Sequence, residues 1–175
     1  MRHDKNILAF CRCGKVVLEV TGAPILRGIC YCSSCQAAGR HHQEMSGADA
    51  VLAEDGGTDY VLYRKDRVRC LQGTELFEER RLTPASPTRR MYARCCGTAM
   101  FLDFTKGHWL TIYRGRLPAD VPPAIMRMMT AARPEGVILP DDTTNYPGHS
   151  GKFMLKLLGA WIAMGFKRPA VDGIP

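Results

Sequence analysis

The chain has 175 residues, of which 46% are hydrophobic, and it carries a formal net charge of +7. This length and composition predict one domain with a real core, plus at most an appendage. No stretch approaches the roughly 20 apolar residues that span a bilayer, and Ile7 to Phe10 is too short for the core of a signal peptide. We therefore expect a cytoplasmic protein that does not contact a membrane, in which thiols stay reduced.

The first two thirds of the chain predict short antiparallel strands with frequent turns. Two hairpins are expected with cysteines at their tips, one around residues 11–14 and one around residues 95–97. A third hairpin is expected to pair residues 60–64 with 67–71 across Lys65 and Asp66. After Cys32, Ser33 predicts the cap of a short helix that ends near Gly39. All the predicted strands are residues 7–10, 15–20, 26–30, 60–64, 67–71, 75–82, 88–94, 99–103 and 109–113.

From Leu117 onward the composition changes. Three prolines, at 118, 122 and 123, predict a linker, and Gly151 to Phe166 predicts a helix with apolar residues at helical spacing. We assign residues 1–116 to a β domain and 117–175 to a linker with a helical extension. Because the helix needs a partner for its apolar face, it is expected to pack on the core or on a second subunit, as in a homodimer.

The eight cysteines are grouped in a way that predicts metal binding. Two of the groups end in glycine, and thiolates about 2.3 Å from a zinc ion must converge through sharp turns. Disulfide bonds are the competing use, but they suit a secreted chain. The clustered cysteines are Cys11 and Cys13, then Cys30, Cys32 and Cys35, then Cys95 and Cys96.

A first zinc site is expected where the two hairpin tips meet. Cys11 and Cys13 would come from one tip, and Cys95 and Cys96 from the other; four sulfurs close a tetrahedron, as in structural zinc sites. Adjacent strand residues point to opposite faces, so Cys95 and Cys96 can share an ion only in a distorted turn. Cys96, followed by Gly97, is the stronger candidate ligand, and Cys95 could instead be a packed thiol.

A second zinc site is expected at Cys30, Cys32 and Cys35, which we call the trio. Three protein ligands with an open position are typical of a reactive zinc ion, which would hold a substrate thiolate or polarise a carbonyl. We therefore assign the trio as the candidate catalytic residues. In the alternative, a further protein ligand closes the site, the candidates being Cys70, which we otherwise expect to be a core thiol, and His41, His42 and His108.

Positive charge is concentrated in residues 60–94. This segment holds nine basic and four acidic residues, a net +5 from 9 − 4. Such a segment could attract an anionic small molecule or a nucleic acid, or it could be the solvated face of strands. We expect its arginines to neutralise carboxylates of an anionic substrate.

The three cysteine groups, taken in order, resemble the glutathione-dependent formaldehyde-activating enzyme family, which has the Mss4-like zinc-dependent β fold. Cys11-Arg12-Cys13-Gly14 and the Cys-x-Cys-x-x-Cys run of the trio match the family's first two motifs. In the third motif, Cys96-Gly97 aligns with the family's Cys-Gly. The family's earlier cysteine falls on Ala93, and Cys95 is additional. The resemblance covers residues 7–115.

The resemblance implies a fold, two zinc ions and an activity. The fold would be a β sandwich or barrel of short antiparallel strands, stapled by zinc. Cys11, Cys13 and Cys96 would carry the structural zinc and the trio the catalytic zinc. The implied reaction joins glutathione and formaldehyde, which in reverse is a carbon–sulfur lyase reaction on a thiol-bearing anionic molecule.

A hypothesis of a different class is a zinc module without catalytic activity. It would bind a protein or nucleic-acid partner through the basic strand face, and it predicts a fully closed second site. We regard a nucleic-acid partner as the weaker expectation.

Overall fold

The computed structural model describes residues 6–44 and 49–174. Within them the chain forms ten strands and two α-helices, so the predicted mainly β fold with a C-terminal helix is confirmed. The strands are β1 (Asn6–Phe10), β2 (Val17–Thr21), β3 (Leu26–Cys30), β4 (Thr58–Arg64), β5 (Val68–Gln72), β6 (Phe77–Arg80), β7 (Thr88–Ala93), β8 (Thr98–Phe104), β9 (Trp109–Tyr113) and β10 (Arg127–Met128). The helices are α1 (Ser33–Gln43) and α2 (Gly151–Ala163).

The strands form two sheets that share a core. One sheet has the order β1-β2-β5 and the other the order β10-β3-β4-β9-β8-β7-β6. Side chains alternate along the central strand β4. Val61 and Tyr63 join the core shared with the smaller sheet, whereas Tyr60 and Leu62 join a second apolar cluster on the outer face of the larger sheet.

Two of the three predicted hairpins are confirmed. β1 pairs with β2, and β7 pairs with β8, so both pairs of cysteines at the tips lie in tight turns. The predicted pairing of β4 with β5 is wrong, because β4 pairs with β3 and β9 while β5 pairs with β2. One 3-10 turn at Lys65–Arg67 carries the chain between the sheets, and buried Lys65 is tied there to Asp103 at 2.8 Å.

Helix α1 begins one residue after the trio's middle cysteine and is longer than expected. Its N-cap is Cys32, not Ser33, and the helix continues through Gln43 instead of ending near Gly39. Gly39 lies inside the helix, where Leu52 packs against its backbone. A Cβ at Gly39 would lie 2.4 Å from Cγ of Leu52, so this position requires a glycine. This glycine marks close packing rather than a helix end.

The C-terminal extension covers the outer face of the larger sheet. β10 adds to the sheet edge in parallel with β3, and Leu157 of α2 is buried in the second apolar cluster. The expected packing on the core is therefore present, while a homodimer stays a prediction. Leu155 and Ile162 on α2 are 68% and 55% exposed. Neither described helix is long and apolar enough to cross a membrane.

Gly73 holds the turn that brings β5 beside the first hairpin. Its φ is +82°, and a Cβ there would lie 2.4 Å from the carbonyl oxygen of Lys15. We predict that Gly73→Ala lowers the free energy of unfolding by about 3 kcal/mol, through left-handed backbone strain and this clash. Gly136 has φ +77° and nothing within 4 Å, so Gly136→Ala should cost only about 1 kcal/mol. Urea denaturation measures both changes, and an equal loss of unfolding free energy in the two variants would show that the clash does not contribute.

Candidate metal centres

The first cluster brings together four sulfurs from the two hairpin tips. The Sγ atom of Cys95 lies 3.3 Å from that of Cys13 and 3.9 Å from that of Cys11, and Cys11 and Cys13 are 3.6 Å apart. Sulfurs on a tetrahedral zinc ion are about 3.8 Å apart if each Zn–S bond is about 2.3 Å. All four sulfurs, including Cys96, lie within 4.8 Å of one another, so the cluster could hold a metal ion.

A distorted turn lets Cys95 and Cys96 face the same point. Both lie in the turn between β7 and β8, where Gly97 has φ +70° and its N–H donates to the carbonyl of Ala93 at 2.9 Å. The two sulfurs are 3.9 Å apart. Cys95, the weaker candidate from the sequence, therefore lies with the other three sulfurs of the cluster.

The four thiols of the first cluster differ in acidity. Burial raises the pKa of Cys95 to about 12. Burial also opposes ionisation of Cys96, but hydrogen bonds from the Thr98 hydroxyl and from backbone N–H groups lower its pKa to about 6. Ionisation of Cys96 is thus favoured over that of Cys11 and Cys95, whose pKa values are raised first by burial and further by the neighbouring sulfurs. A bound cation would remove this obstacle, which fits the donor set to a metal ion.

The trio is assembled at the junction of β3 and α1. Cys30 ends the strand, Cys32 caps the helix, and Cys35 lies in the first helical turn. Their sulfurs lie within 4.8 Å of one another. The backbone N–H of Cys35 donates to Sγ of Cys32 at 3.3 Å, and the N–H of Cys32 donates to Sγ of Cys30 at 3.5 Å. The helix N-terminus thus presents its positive end to these sulfurs, which favours thiolate.

In the trio, as in the first cluster, the pKa of one thiol is lowered and the pKa values of its neighbours are raised. Hydrogen bonds from the thiols of Cys30 and Cys35 lower the pKa of Cys32, and the backbone N–H groups of Cys35 and Ser34 lower it further. Hydrogen bonding to Cys32 raises the pKa of Cys30 to about 11, and hydrogen bonding to Cys30 and then Cys32 raises that of Cys35. The trio therefore also needs a cation before all three sulfurs can ionise.

No protein group closes the fourth position of the trio within the described ranges. No other His, Cys, Asp or Glu there offers a ligand atom that lies within 4.8 Å of all three sulfurs. Cys70 lies on β5 of the smaller sheet and packs against the core, His108 precedes β9, and His41 and His42 lie in the last turn of α1. All eight cysteines are free in the structure.

A cavity of about 540 Å³ adjoins the trio, and we call it the trio cavity. Cys30 and Cys35 form part of its wall, and the rest comes from the outer face of the larger sheet, from β10 and from α2. The lining contains His149 but no Lys, Arg, Asp or Glu. The expected arginines of residues 60–94 are therefore not in this wall. The remaining lining residues are Tyr60, Leu62, Thr88, Leu102, Phe104, Trp109, Thr111, Met128, Met129, Phe153, Met154 and Leu157.

One arginine of the basic segment does reach the first turn of α1, which carries Cys35. Arg90 is only 3% exposed, and its Nη2 donates to the carbonyl and the hydroxyl oxygen of Ser34 at 3.3 and 3.0 Å. Its Nε and Nη1 are buried without a hydrogen-bond partner. A buried cation this close to Cys35 can offset negative charge on the sulfurs. The sequence indicated arginines in general but gave no reason to single out Arg90.

The match to a protein-family model agrees with the resemblance seen in the cysteine motifs. A protein-family model described as glutathione-dependent formaldehyde-activating enzyme matches residues 6–124. A crystal structure of a Rhodobacter sphaeroides protein is similar with a TM-score of 0.45 and 15% identity, over 79% of this chain and 98% of that chain. No curated protein matches the chain.

If the first cluster binds a metal ion, Cys95→Ser should weaken that binding and lower the stability of the fold. We predict that the bound metal falls from two ions per chain to about one, and that Tm falls by about 10 °C, because the ion joins two hairpins. Plasma emission spectroscopy and calorimetry measure both quantities. Cys70→Ser is the matched control and should keep both ions. Full metal content in Cys95→Ser would show that Cys95 is not a metal ligand.

Arg90 should strengthen metal binding at the trio through its charge. We predict that Arg90→Met lowers the trio's affinity for metal about tenfold, measured by competition with a chromophoric chelator. Arg90→Lys, which retains the charge, should restore most of the affinity. Arg94→Met, at an exposed position just after β7, is the control. Equal affinities in Arg90→Met and Arg94→Met would show that the Arg90 charge does not act on the trio.

Proposed function

The chain belongs to the glutathione-dependent formaldehyde-activating enzyme family, and on that premise we propose that it is a zinc-dependent enzyme that joins a thiol to formaldehyde. In reverse, the reaction is that of a carbon–sulfur lyase. Glutathione is the thiol named in the family's description. The observation that carries the proposal is the trio itself, three converging sulfurs without a fourth protein ligand in the described ranges, in the wall of a cavity.

Two zinc ions are part of the proposal. Thiolate sulfur is a preferred ligand of zinc, and four converging sulfurs make a closed, structural site. We assign that role to the first cluster and the catalytic role to the trio. The structural ligands would be Cys11, Cys13, Cys95 and Cys96, and the catalytic ligands Cys30, Cys32 and Cys35. The cytoplasm is the proposed location, because its reducing conditions keep such thiols free.

The proposed reaction makes one carbon–sulfur bond. The thiol sulfur donates an electron pair to the aldehyde carbon, the carbonyl π pair moves to oxygen, and the thiol proton ends on that oxygen. Zinc at the trio would supply Lewis-acid chemistry that favours the thiolate form of the substrate at neutral pH. The reverse reaction breaks the same bond and returns the proton to sulfur.

The chain's own residues would position the reactants and move the proton. The apolar wall of the trio cavity offers few hydrogen-bond partners to water, which competes for the aldehyde. His149 is the imidazole of the lining, and its two ring nitrogens can accept and donate a proton. We assign it the transfer of the proton between sulfur and oxygen. His149 also stacks on Phe153 with ring centroids 6.0 Å apart, which limits its movement.

The alternative of a non-catalytic module has less support. It predicts a closed second site, and the described residues supply no closing ligand. It also needs free positive charge, but much of the basic segment is neutralised within the chain. The ion pairs are Arg64–Asp66, Lys65–Asp103, Arg69–Glu19, Arg80–Glu78, Arg81–Glu79 and Arg89–Asp103.

The proposal predicts that Cys32→Ser abolishes thiol binding while the fold remains. Cobalt(II) in place of zinc gives sulfur-to-metal charge-transfer absorption, so addition of a thiol as a fourth ligand is visible in the spectrum. The wild-type spectrum should change on addition of thiol, and the Cys32→Ser spectrum should not. Calorimetry should show that Cys32→Ser still unfolds cooperatively. An identical thiol response in Cys32→Ser would rule out the trio as the site.

A further inference from the structure

Resting on the proposed function, we infer that the substrate thiol of this protein has an uncharged, apolar body, such as an arylmethyl or alkyl thiol, and that it is not glutathione. Cys30 and Cys35 lie in the wall of the trio cavity, so a molecule held in this cavity lies next to two of the three cysteines. The size of the cavity, about 540 Å³, is in the usual range for small-molecule sites.

The wall of the trio cavity is suited to an apolar body. Most of its side chains are aliphatic, aromatic or thioether groups, among them Leu102, Phe104, Trp109 and Phe153. Apart from the two cysteines, its polar side chains are those of Tyr60, Thr88, Thr111 and His149. Burial raises the pKa of Tyr60 well above its usual range, so its hydroxyl stays protonated. Such a wall gains free energy by covering apolar surface and offers few partners to an ion.

Glutathione places two carboxylates and an ammonium group close to its thiol. Each of these charges needs either an ionic partner or contact with water, because a charge that lies unpaired against an apolar wall is unfavourable. The lining of the trio cavity has no guanidinium, ammonium or carboxylate group. Arg90 is not in that lining and is directed to Ser34 instead. Glutathione in the trio cavity would therefore lose hydration of its charged groups without gaining ionic partners in the wall.

Cations do occur in an adjoining cavity of about 360 Å³, which Lys106 and Arg168 help to line. Trp109, Met154 and Leu157 line both cavities and therefore lie between them. The guanidinium of Arg168 is already placed over the ring of Trp161, 4.9 Å from its centroid. These cations do not line the space next to the trio, so they do not change its preference for an apolar body.

The test compares three thiols on the cobalt(II)-loaded protein. Phenylmethanethiol has an apolar body, 4-(mercaptomethyl)benzoate adds one carboxylate to it, and glutathione is the family's thiol. We expect phenylmethanethiol to bind about tenfold or more tightly than either of the others, read from the charge-transfer absorption. Cys32→Ser should lose this response, which excludes partition of the thiol onto apolar surface.

A charge placed in the wall should reverse the preference. Met154 lines the trio cavity and is 56% exposed, so Met154→Lys should fold normally. We expect it to bind 4-(mercaptomethyl)benzoate at least about tenfold more tightly than wild type and phenylmethanethiol more weakly. Ile162→Lys is the matched control, because Ile162 is 55% exposed on the same helix and outside this lining. Its preference should equal that of wild type.

The outcomes separate this inference from the proposed function. If glutathione or 4-(mercaptomethyl)benzoate binds as tightly as phenylmethanethiol, and Cys32→Ser abolishes that binding, the inference is overturned and the proposed function stands. If none of the three thiols alters the cobalt spectrum, the proposed function is overturned, and the inference falls with it.

Discussion

The close packing of partly buried thiols is the physical constraint on which both cysteine clusters depend, because it disfavours more than one thiolate in each cluster. Four sulfurs in one cluster and three in the other lie within 4.8 Å of one another. In each cluster one thiol has a lowered pKa and two others have raised pKa values. Burial raises the pKa values of Cys11 and Cys95 in the first cluster, hydrogen bonds between the thiols raise those of Cys30 and Cys35 in the trio, and repulsion between negative sulfurs adds to both effects. A divalent cation relieves the repulsion, so metal binding, thiol ionisation and folding are linked at both places.

The fold meets this constraint differently in the two clusters. The first is built from two hairpin turns that are distant in sequence, and a cation there would join them. The second is built within six residues of sequence, where a strand ends and a helix begins. The helix N-terminus and the buried guanidinium of Arg90 supply positive charge beside the trio. One cluster can therefore serve stability, and the other is free to serve chemistry.

The sequence alone predicts those features of the fold that depend on the spacing of residues close together in the chain. Both cysteine-tipped hairpins and the grouping of the sulfurs followed from short motifs with glycine behind them. The pairing of β4 with β5 was wrong because a two-residue gap resembles a hairpin, whereas the burial of Lys65 beside Asp103 turns the chain into the other sheet. The sequence around Gly39 predicts a helix end, because the sequence does not show that Leu52 packs against this glycine. Such contacts depend on residues far apart in the chain.

The wall of the trio cavity was not predictable for the same reason. His149 and Phe153 belong to the extension, outside the cysteine motifs, and only the three-dimensional fold places them opposite the sheet. The helical spacing after Gly151 predicted an amphipathic helix but not the surface that it covers. The extension thus lies against the site and helps to determine which molecules reach the trio.

The central claim is that a metal ion on the trio keeps one position for a thiol that enters the trio cavity. A crystal structure of the zinc-loaded protein with bound phenylmethanethiol tests this most directly. The account predicts zinc on Cys30, Cys32 and Cys35, with the thiol sulfur as the fourth ligand and the ring against Trp109 and Phe153. A disulfide within the trio, or a protein side chain as the fourth zinc ligand, would contradict it.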